Sequence, residues 1–307
     1  MCQVAHVEPR HILSIMSVSK VEHVLTARAR LGECPVWDPE RAMLGWVDVY
    51  NQRVHQFDPA AERDRYFETG ELVTALALTR GDRLLLALRD RLALLDPRSG
   101  VIDLLCHVDV GRADGRLNDG KCDAQGRFWV GSMSQRPGEA ALFRYDPDGS
   151  LHVMERGLTL SNGLGWSPDG QTFYLTDSMA RKIYAYRFDP DSGSIGDRRV
   201  LVDLSQETVE PDGLTVDRAG RLWSALWNGW CVACFDADGK EVERAPLPVQ
   251  RPTSLTFGGD ALRDLYVTSA SVGLSQAEVE RGIFAGDLFR AATDCAGLPT
   301  HRFGASG

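Results

Sequence analysis

Short apolar stretches recur at a nearly constant spacing along the chain. Six of them can be aligned, and they end at Asp38, Thr79, Asp123, Ser167, Asp217 and Gly258. Neighbouring ends are 41 to 50 residues apart. A period of this length is typical of a repeat architecture in which each repeat forms one propeller blade.

Each repeat is predicted to consist of short strands separated by turns rich in Gly, Asp and Pro. The second strand of each repeat is strongly apolar and is predicted at residues 43–47, 84–88, 127–130, 172–175, 221–225 and 264–267. Turn sequences such as DPDSG, SPDG and DADGK indicate an antiparallel all-β protein. Six repeats of four strands predict a six-bladed β-propeller, because closing the ring protects the long sheet edges.

The repeats predict one propeller domain over residues 21–307. Residues 1–20 add nothing to the repeats, and we expect a disordered extension there. Residues 21–27 resemble a strand that would complete the last blade, and residues 300–303 are a second candidate for that place.

Composition and charge narrow the classes of partner. The 307 residues are 43% hydrophobic and 25% charged, as in soluble globular proteins. The formal net charge of -9 argues against nucleic acids and anionic membranes. No apolar run approaches the roughly 20 residues that span a bilayer, and the N-terminus lacks the long apolar region of a secretory signal. We therefore expect a cytoplasmic protein that is a monomer or a weak homo-oligomer.

Polar side chains recur five residues before the end of each aligned stretch. They are Glu33, Thr74, Asn118, Asn162, Asp212 and Thr253. A closed ring places equivalent positions around one axis. The four with a carboxyl or amide group (Glu33, Asn118, Asn162 and Asp212) are therefore expected to converge on one point.

Glu33, Asn162 and Asp212 form a candidate metal-binding set. Two carboxylates and one amide oxygen suit calcium, magnesium or manganese, and zinc also accepts carboxylates, although histidine would be expected. Three protein ligands leave coordination positions for water or substrate. The alternative is that these are turn residues, since Asn-Gly and Asp-Gly are common turn pairs. The shared register favours a site, because turn chemistry does not select a glutamate at position 33.

The third repeat differs from the others because its inner strand carries Asp119 and Lys121. Arg116 offers a planar fork of donors for sugar hydroxyls or a carboxylate, and Asn118 can both donate and accept. Arg116 and Asn118 share a strand face, whereas Asp119 would point toward the surroundings of the metal or a neighbouring blade. We assign Arg116, Asn118 and Asp119 to substrate binding; an ion pair of Arg116 with Asp119 or another acid is the alternative.

Eight short motifs carry a resemblance to a known family. They are GECPVW at 32–37, RLNDGK at 116–121, GSM at 131–133, SNG at 161–163, WSPDG at 166–170, YLTDS at 174–178, PDG at 211–213 and FGG at 257–259. With these motifs the chain resembles the regucalcin/gluconolactonase family, also called the senescence marker protein family. The motifs span nearly the whole predicted domain.

The resemblance implies a six-bladed propeller with one divalent ion on its axis. It implies that Glu33, Asn162 and Asp212 bind this ion, with calcium or zinc expected first and magnesium, manganese or iron as alternatives. It also implies that Arg116 and Asn118 hold a sugar lactone, which the enzyme hydrolyses to the aldonic acid. Some members carry an acidic residue that helps to hold substrate where this chain has Arg136, so the identity of the sugar stays open.

The mechanism we expect is metal-assisted ester hydrolysis with Asp212 as general base. The competing hypothesis is a non-catalytic calcium-binding or scaffold propeller, because a fold does not determine a function. A third hypothesis retains the ion and changes the reaction to another ester or phosphotriester hydrolysis.

Overall fold

Six four-stranded antiparallel sheets make up nearly all of the fold. The structure, a computed structural model, describes residues 18–108 and 114–305. Each sheet is one blade, and the innermost strands contact one another around a central axis. The predicted six-bladed β-propeller is therefore confirmed. No helix among the described residues is long and apolar enough to cross a membrane.

The strands are numbered in chain order, and each blade runs from an inner to an outer strand. The inner strands are β2 (Gly32–Asp38), β6 (Val73–Leu78), β10 (Arg116–Cys122), β14 (Ser161–Trp166), β18 (Glu210–Val216) and β22 (Pro252–Gly258). The second strands are β3 (Met43–Asp48), β7 (Leu84–Leu88), β11 (Phe128–Met133), β15 (Thr172–Asp177), β19 (Leu222–Trp227) and β23 (Asp264–Ser269). The third strands are β4 (Arg53–Asp58), β8 (Arg91–Leu95), β12 (Ala140–Tyr145), β16 (Lys182–Asp189), β20 (Cys231–Phe235) and β24 (Leu288–Ala292). The outer strands are β5 (Arg63–Glu68), β9 (Ile102–His107), β13 (Leu151–Leu158), β17 (Ser194–Asp203), β21 (Glu241–Pro246) and β1 (Glu22–Leu25).

The ring closes where the first strand of the chain joins the last blade. Strand β1 pairs with β24, with Glu22 opposite Arg290 and His23 opposite Phe289. The prediction that residues 21–27 complete this blade is confirmed. Residues 1–17 of the predicted N-terminal extension lie outside the described residues, and Val18 forms a bridge with Thr293.

The C-terminal segment, the second candidate for closing the ring, lies elsewhere. Phe303 forms a parallel bridge with Thr79 at the end of the second blade. Leu298, Pro299 and His301 cover one end of the ring, over a cavity of about 80 Å³ beside the ends of the inner strands. The one helix found in residues 18–108 and 114–305, α1 (Gln276–Arg281), begins with a capping box between Ser275 and Glu278.

A register shift interrupts every inner strand at the same place. The shifts in pairing with the second strand fall between Glu33 and Val36, Val73 and Ala75, Leu117 and Gly120, Ser161 and Leu164, Pro211 and Leu214, and Pro252 and Leu255. Such irregularities bend a strand and change the direction of a side chain. The recurrent polar positions of the sequence lie at or inside these shifts, in strands rather than in turns.

Glycines allow the inner strands to approach one another at these irregularities. A Cβ atom on Gly163 would lie 2.3 Å from the backbone nitrogen of Leu214, and one on Gly213 would lie 2.2 Å from Oγ of Ser254. Both contacts are shorter than van der Waals distance, so glycine follows Asn162 and Asp212 because the neighbouring blade leaves no room for a side chain.

A buried aspartate stabilises the first hairpin of the fifth blade. Oδ1 of Asp217 accepts hydrogen bonds from the backbone N–H groups of Ala219 and Arg221, at 2.9 and 3.0 Å. Its Oδ2 accepts from Nε of Arg221 at 2.6 Å and from Nε1 of Trp223 at 3.0 Å. Asp217 is fully buried, so its carboxylate oxygens depend on these four donors and not on water.

We expect Asp217→Asn to lower the free energy of unfolding by about 2 kcal/mol, because an amide cannot accept all four bonds and leaves a buried donor unpaired. Urea denaturation of the purified variant measures this loss. Asp238→Asn, at an exposed position, is the control and should stay within about 0.5 kcal/mol of the wild type. Equal stability of the two variants would contradict a structural role for the Asp217 hydrogen bonds.

Candidate metal and substrate site

A cavity of about 230 Å³ opens at the end of the ring where the inner strands begin. Five of the six blades or their connecting loops contribute to its wall. The lining residues are Leu31, Glu33, Tyr50, Arg116, Asn118, Met133, Leu160, Asn162, Ser178, Glu210, Asp212, Trp227 and Val272. The cavity therefore brings together Glu33, Arg116, Asn118, Asn162 and Asp212 from four blades, as the repeat register predicts.

Three buried oxygen atoms in this cavity accept no hydrogen bond from the described residues. They are Oε2 of Glu33, Oδ1 of Asn162 and Oδ1 of Asp212. The three residues are 9%, 4% and 5% exposed. Buried polar atoms are almost always paired, and an exception calls for an ion or water at that place. Oxygen atoms of this type are the ligands that hard divalent cations select.

Hydrogen bonds to Ser178 determine which atom of the Asn162 amide remains free. Nδ2 of Asn162 donates to Oγ of Ser178 at 3.1 Å, and Oγ of Ser178 donates to the carbonyl oxygen of Pro211 at 2.7 Å. Ser178 thereby binds the nitrogen side of the amide and leaves Oδ1 as the unpaired atom. The sequence contains Ser178 in the motif YLTDS, but no pattern in the sequence indicates this contact.

The acidic groups of the cavity are electrostatically unfavourable without a counter-charge. Burial raises the pKa of Glu33 well above its usual value, and repulsion from Asp212 and Asp119 raises it further. Burial also raises the pKa of Asp212, with Asp119 as the next largest cause. A divalent cation would offset both desolvation and repulsion. Among the described residues, no group of three or more His, Cys, Asp or Glu side chains is placed to hold a metal ion; the third candidate ligand here is the amide of Asn162.

Arg116 and Asn118 lie together on one side of the cavity. Nη1 of Arg116 donates to Oδ1 of Asn118 at 2.5 Å and to the carbonyl oxygen of Leu117 at 2.9 Å. Nδ2 of Asn118 donates to the carbonyl oxygen of Ser161 at 3.1 Å. Burial lowers the pKa of Arg116, and the nearby Tyr50 and Glu33 oppose this shift. The pair offers a partly buried guanidinium group to a ligand.

Asp119 does not line the cavity, unlike the other predicted site residues. Its Oδ1 accepts from the backbone N–H of Gly120 at 2.8 Å, and burial raises its pKa while Lys121 opposes the shift. Lys121 donates to the carbonyl oxygen of Leu214 at 2.8 Å. Asp119 lies close enough to repel Glu33 and Asp212, so it lies beside the candidate metal ligands without lining the cavity.

The remaining equivalent positions bind backbone atoms. Thr74 donates to the carbonyl oxygen of Ala87 at 3.3 Å, and Thr253 donates to that of Gly32. Arg136 is exposed and is not among the residues that line the cavity. Three polar cavity residues that the sequence did not indicate (Tyr50, Ser178 and Glu210) lie outside the aligned register, so their contribution leaves no repeated signal.

Comparison with known proteins identifies the family. The family model described as SMP-30/Gluconolactonase/LRE-like region matches residues 31–271. The chain belongs to this family.

Relatives of this SMP-30/gluconolactonase family member match more than nine-tenths of its length. Pentonolactonase XacC of Haloferax volcanii is 36% identical over 295 residues, which cover 92% of this chain and 97% of the relative. Regucalcin of Gallus gallus is 34% identical over 297 residues, which cover 94% of this chain and 99% of the relative. The chain also matches the crystal structure of regucalcin from Agrobacterium tumefaciens, which is described as a calcium-binding protein. The TM-score is 0.88 and the sequence identity is 25%, and the match covers 92% of this chain and 96% of the regucalcin chain.

Proposed function

We propose that this SMP-30/gluconolactonase family member is a divalent-metal-dependent hydrolase of sugar lactones, of the gluconolactonase or pentonolactonase type. The observation that carries the proposal is the set of three unpaired buried oxygens beside Arg116 and Asn118 in one cavity. A binding protein needs only the oxygens, whereas the adjacent polar wall suits recognition of a hydroxylated ring. The pentonolactonase among its relatives supports the same reaction class.

Glu33, Asn162 and Asp212 are the residues that would hold the metal. Their all-oxygen set suits calcium, and zinc is the second candidate because it also accepts carboxylates. Magnesium, manganese and iron are the remaining alternatives. When bound, a divalent ion supplies Lewis-acid polarisation of an ester carbonyl and stabilises the charge that develops on its oxygen.

Asp212 is the proposed general base. Asp212 lines the cavity, and its carboxylate can take a proton from the attacking water as the water oxygen bonds to the lactone carbonyl carbon. The ring C–O bond then breaks, and the proton returns from Asp212 to the departing ring oxygen. The product is the open-chain aldonic acid.

Arg116 and Asn118 are proposed to orient the substrate. Because the two side chains are hydrogen-bonded to each other and to the backbone, they present donors in a fixed arrangement. Holding the lactone in one orientation converts binding energy into rate.

Acid release in a pH-stat tests the function. The purified protein would be incubated with glucono-, xylono-, arabinono- and galactonolactone, with added calcium or zinc and after EDTA treatment. We expect metal-dependent acid release above the spontaneous rate on at least one lactone. Calcium binding without acid release on any lactone would reject the enzyme and favour a calcium-binding propeller.

We expect Ser178→Ala to weaken metal binding by about 10- to 100-fold, the range typical of residues that orient a metal ligand. Without the hydroxyl, Nδ2 of Asn162 loses its acceptor, and the amide can rotate its oxygen away from the cavity. Isothermal titration with calcium or zinc measures the change. Ser205→Ala, at an exposed position, should retain wild-type affinity. Wild-type metal affinity in Ser178→Ala would show that Asn162 is oriented by other contacts.

A further inference from the structure

Glu210 places a carboxylate in the wall of the cavity that the proposed reaction does not use. It is the first residue of β18, two residues before Asp212, and it lines the cavity beside Trp227. It is half-buried. Its electrostatic environment contains two arginines but no hydrogen-bond donor among the described residues. Its oxygens are therefore available to a ligand.

The two arginines near Glu210 are held by other groups. Nε of Arg251 donates to Oδ1 of Asn228 at 2.9 Å, Nη1 donates to the carbonyl oxygen of Val272, and the guanidinium group lies 4.8 Å from the ring centroid of Trp227. Nη1 of Arg181 donates to the carbonyl oxygen of Glu207 at 2.9 Å. Neither arginine forms an ion pair with Glu210 among the contacts of the described residues, so both leave its oxygens open to a ligand in the cavity.

Another part of the wall supplies hydrogen-bond donors. Arg116 and Asn118 present donors from the third blade, whereas Glu210 lies on the fifth blade. Three carboxylates line the cavity in the described residues, and two of them, Glu33 and Asp212, belong to the metal-binding set. Glu210 is the carboxylate that remains for a ligand. A hydroxyl group donates well to a carboxylate, and such charge-assisted hydrogen bonds are about twice as strong as neutral ones.

We propose that the Glu210 carboxylate accepts hydrogen bonds from hydroxyl groups of the lactone and selects hydroxylated lactones over lactones that lack these groups. The inference rests on the proposed lactonase function and adds a specificity-determining residue to it. A site that hydrogen-bonds substrate hydroxyls discriminates against an analogue without them, because its polar groups are then left unpaired.

The test compares Glu210→Gln and Glu210→Ala with the wild type on two classes of substrate. One class is a hydroxylated γ-lactone such as xylono-1,4-lactone, and the other is γ-butyrolactone, which has the ring without hydroxyls. If γ-butyrolactone is turned over too slowly to measure, its inhibition constant against xylonolactone hydrolysis replaces kcat/KM. We expect Glu210→Ala to lower kcat/KM for the hydroxylated lactone by about 10- to 100-fold, mainly through KM, and to leave the γ-butyrolactone value within about twofold. For the hydroxylated lactone, kcat/KM of Glu210→Gln should lie between the values of the wild type and Glu210→Ala.

Glu207→Gln is the matched control. Glu207 lies three residues away and pairs with Arg244, and it does not line the cavity. Glu207→Gln should retain the wild-type preference for the hydroxylated lactone over γ-butyrolactone. Calcium titration and thermal unfolding of each variant separate a specificity effect from lost metal or lost folding; both should match the wild type in Glu210→Gln.

Each other outcome rejects the inference in a distinct way. If the wild type is active and both Glu210 variants keep its preference for hydroxylated lactones, the role of Glu210 is rejected and the proposed lactonase function is unaffected. Equal losses of kcat/KM on both substrate classes, or a loss of metal affinity, would show that Glu210 acts in catalysis or metal binding and not in recognition of the substrate hydroxyls. A wild type that hydrolyses no lactone with any metal rejects the function and the inference together.

Discussion

Asp212→Asn should reduce kcat for lactone hydrolysis by on the order of 10³-fold, within the range that loss of a general base produces. Asparagine has nearly the same shape, and its amide oxygen can still act as a metal ligand at this position. It cannot accept a proton from water. The variant therefore separates the two roles that we assign to Asp212, because the base is lost while a ligand oxygen is kept.

The measurement is the initial rate of acid release at a metal concentration that saturates each variant, with bound metal determined by elemental analysis. Asp212→Ala removes base and ligand together and should lose both activity and metal. Asp238→Asn, at an exposed turn, should behave as the wild type. Turnover of metal-loaded Asp212→Asn within a few-fold of the wild type would assign the proton transfer to another group.

The fold could be predicted from the sequence because a propeller repeats one local arrangement six times. Each blade is built from adjacent strands and short turns, so apolar strands and Gly or Asp turns recur at a regular distance. The closing strand was also predictable, since residues 21–27 precede the first repeat and an incomplete last blade needs a partner. The strand Glu22–Leu25 fills that place.

The same register predicted which side chains meet at the axis, but not which of them are free there. Thr74 and Thr253 are equivalent to Asn162 in the alignment, yet their hydroxyls bond to backbone carbonyls. A short hydroxyl side chain can form its hydrogen bond with a backbone carbonyl of an adjacent strand. The unpaired oxygens belong to Glu33, Asn162 and Asp212, and their lack of partners depends on contacts between blades.

Ser178 and Glu210 lie outside the register and could not be predicted for the same reason. Ser178 follows the second strand of its blade and reaches Asn162 and the carbonyl of Pro211. Glu210 and Trp227 meet because they are paired across the first hairpin of the fifth blade. These residues lie in different repeats or at different positions of a repeat, so no periodic pattern relates them.

Glu33→Gln should have opposite effects on the metal-free and metal-loaded protein. The raised pKa of Glu33 in the folded state, caused first by burial and then by Asp212 and Asp119, means that its ionised form is unfavourable there. At pH 7, above the usual pKa of a glutamate, folding must accommodate this charge. Neutral glutamine removes that cost, so the metal-free variant should be more stable than metal-free wild type by about 1–2 kcal/mol, which corresponds to a rise in Tm of a few degrees.

With metal the order should reverse. A ligand at 100 times its Kd adds about 2.7 kcal/mol to the stability of the wild type. The variant keeps only an uncharged amide oxygen at this proposed ligand position, so it should bind the ion more weakly and gain less stability from it. Differential scanning calorimetry at pH 7 with EDTA and with saturating calcium or zinc measures both differences, and Glu62→Gln, at an exposed turn, is the control for a change of one surface charge. A Glu33→Gln protein that is less stable than wild type without metal, or equally stabilised by metal, would contradict the assignment of Glu33 as a charged ligand. The reversal has one physical cause, because the same carboxylate that destabilises the empty cavity provides the attraction for the cation.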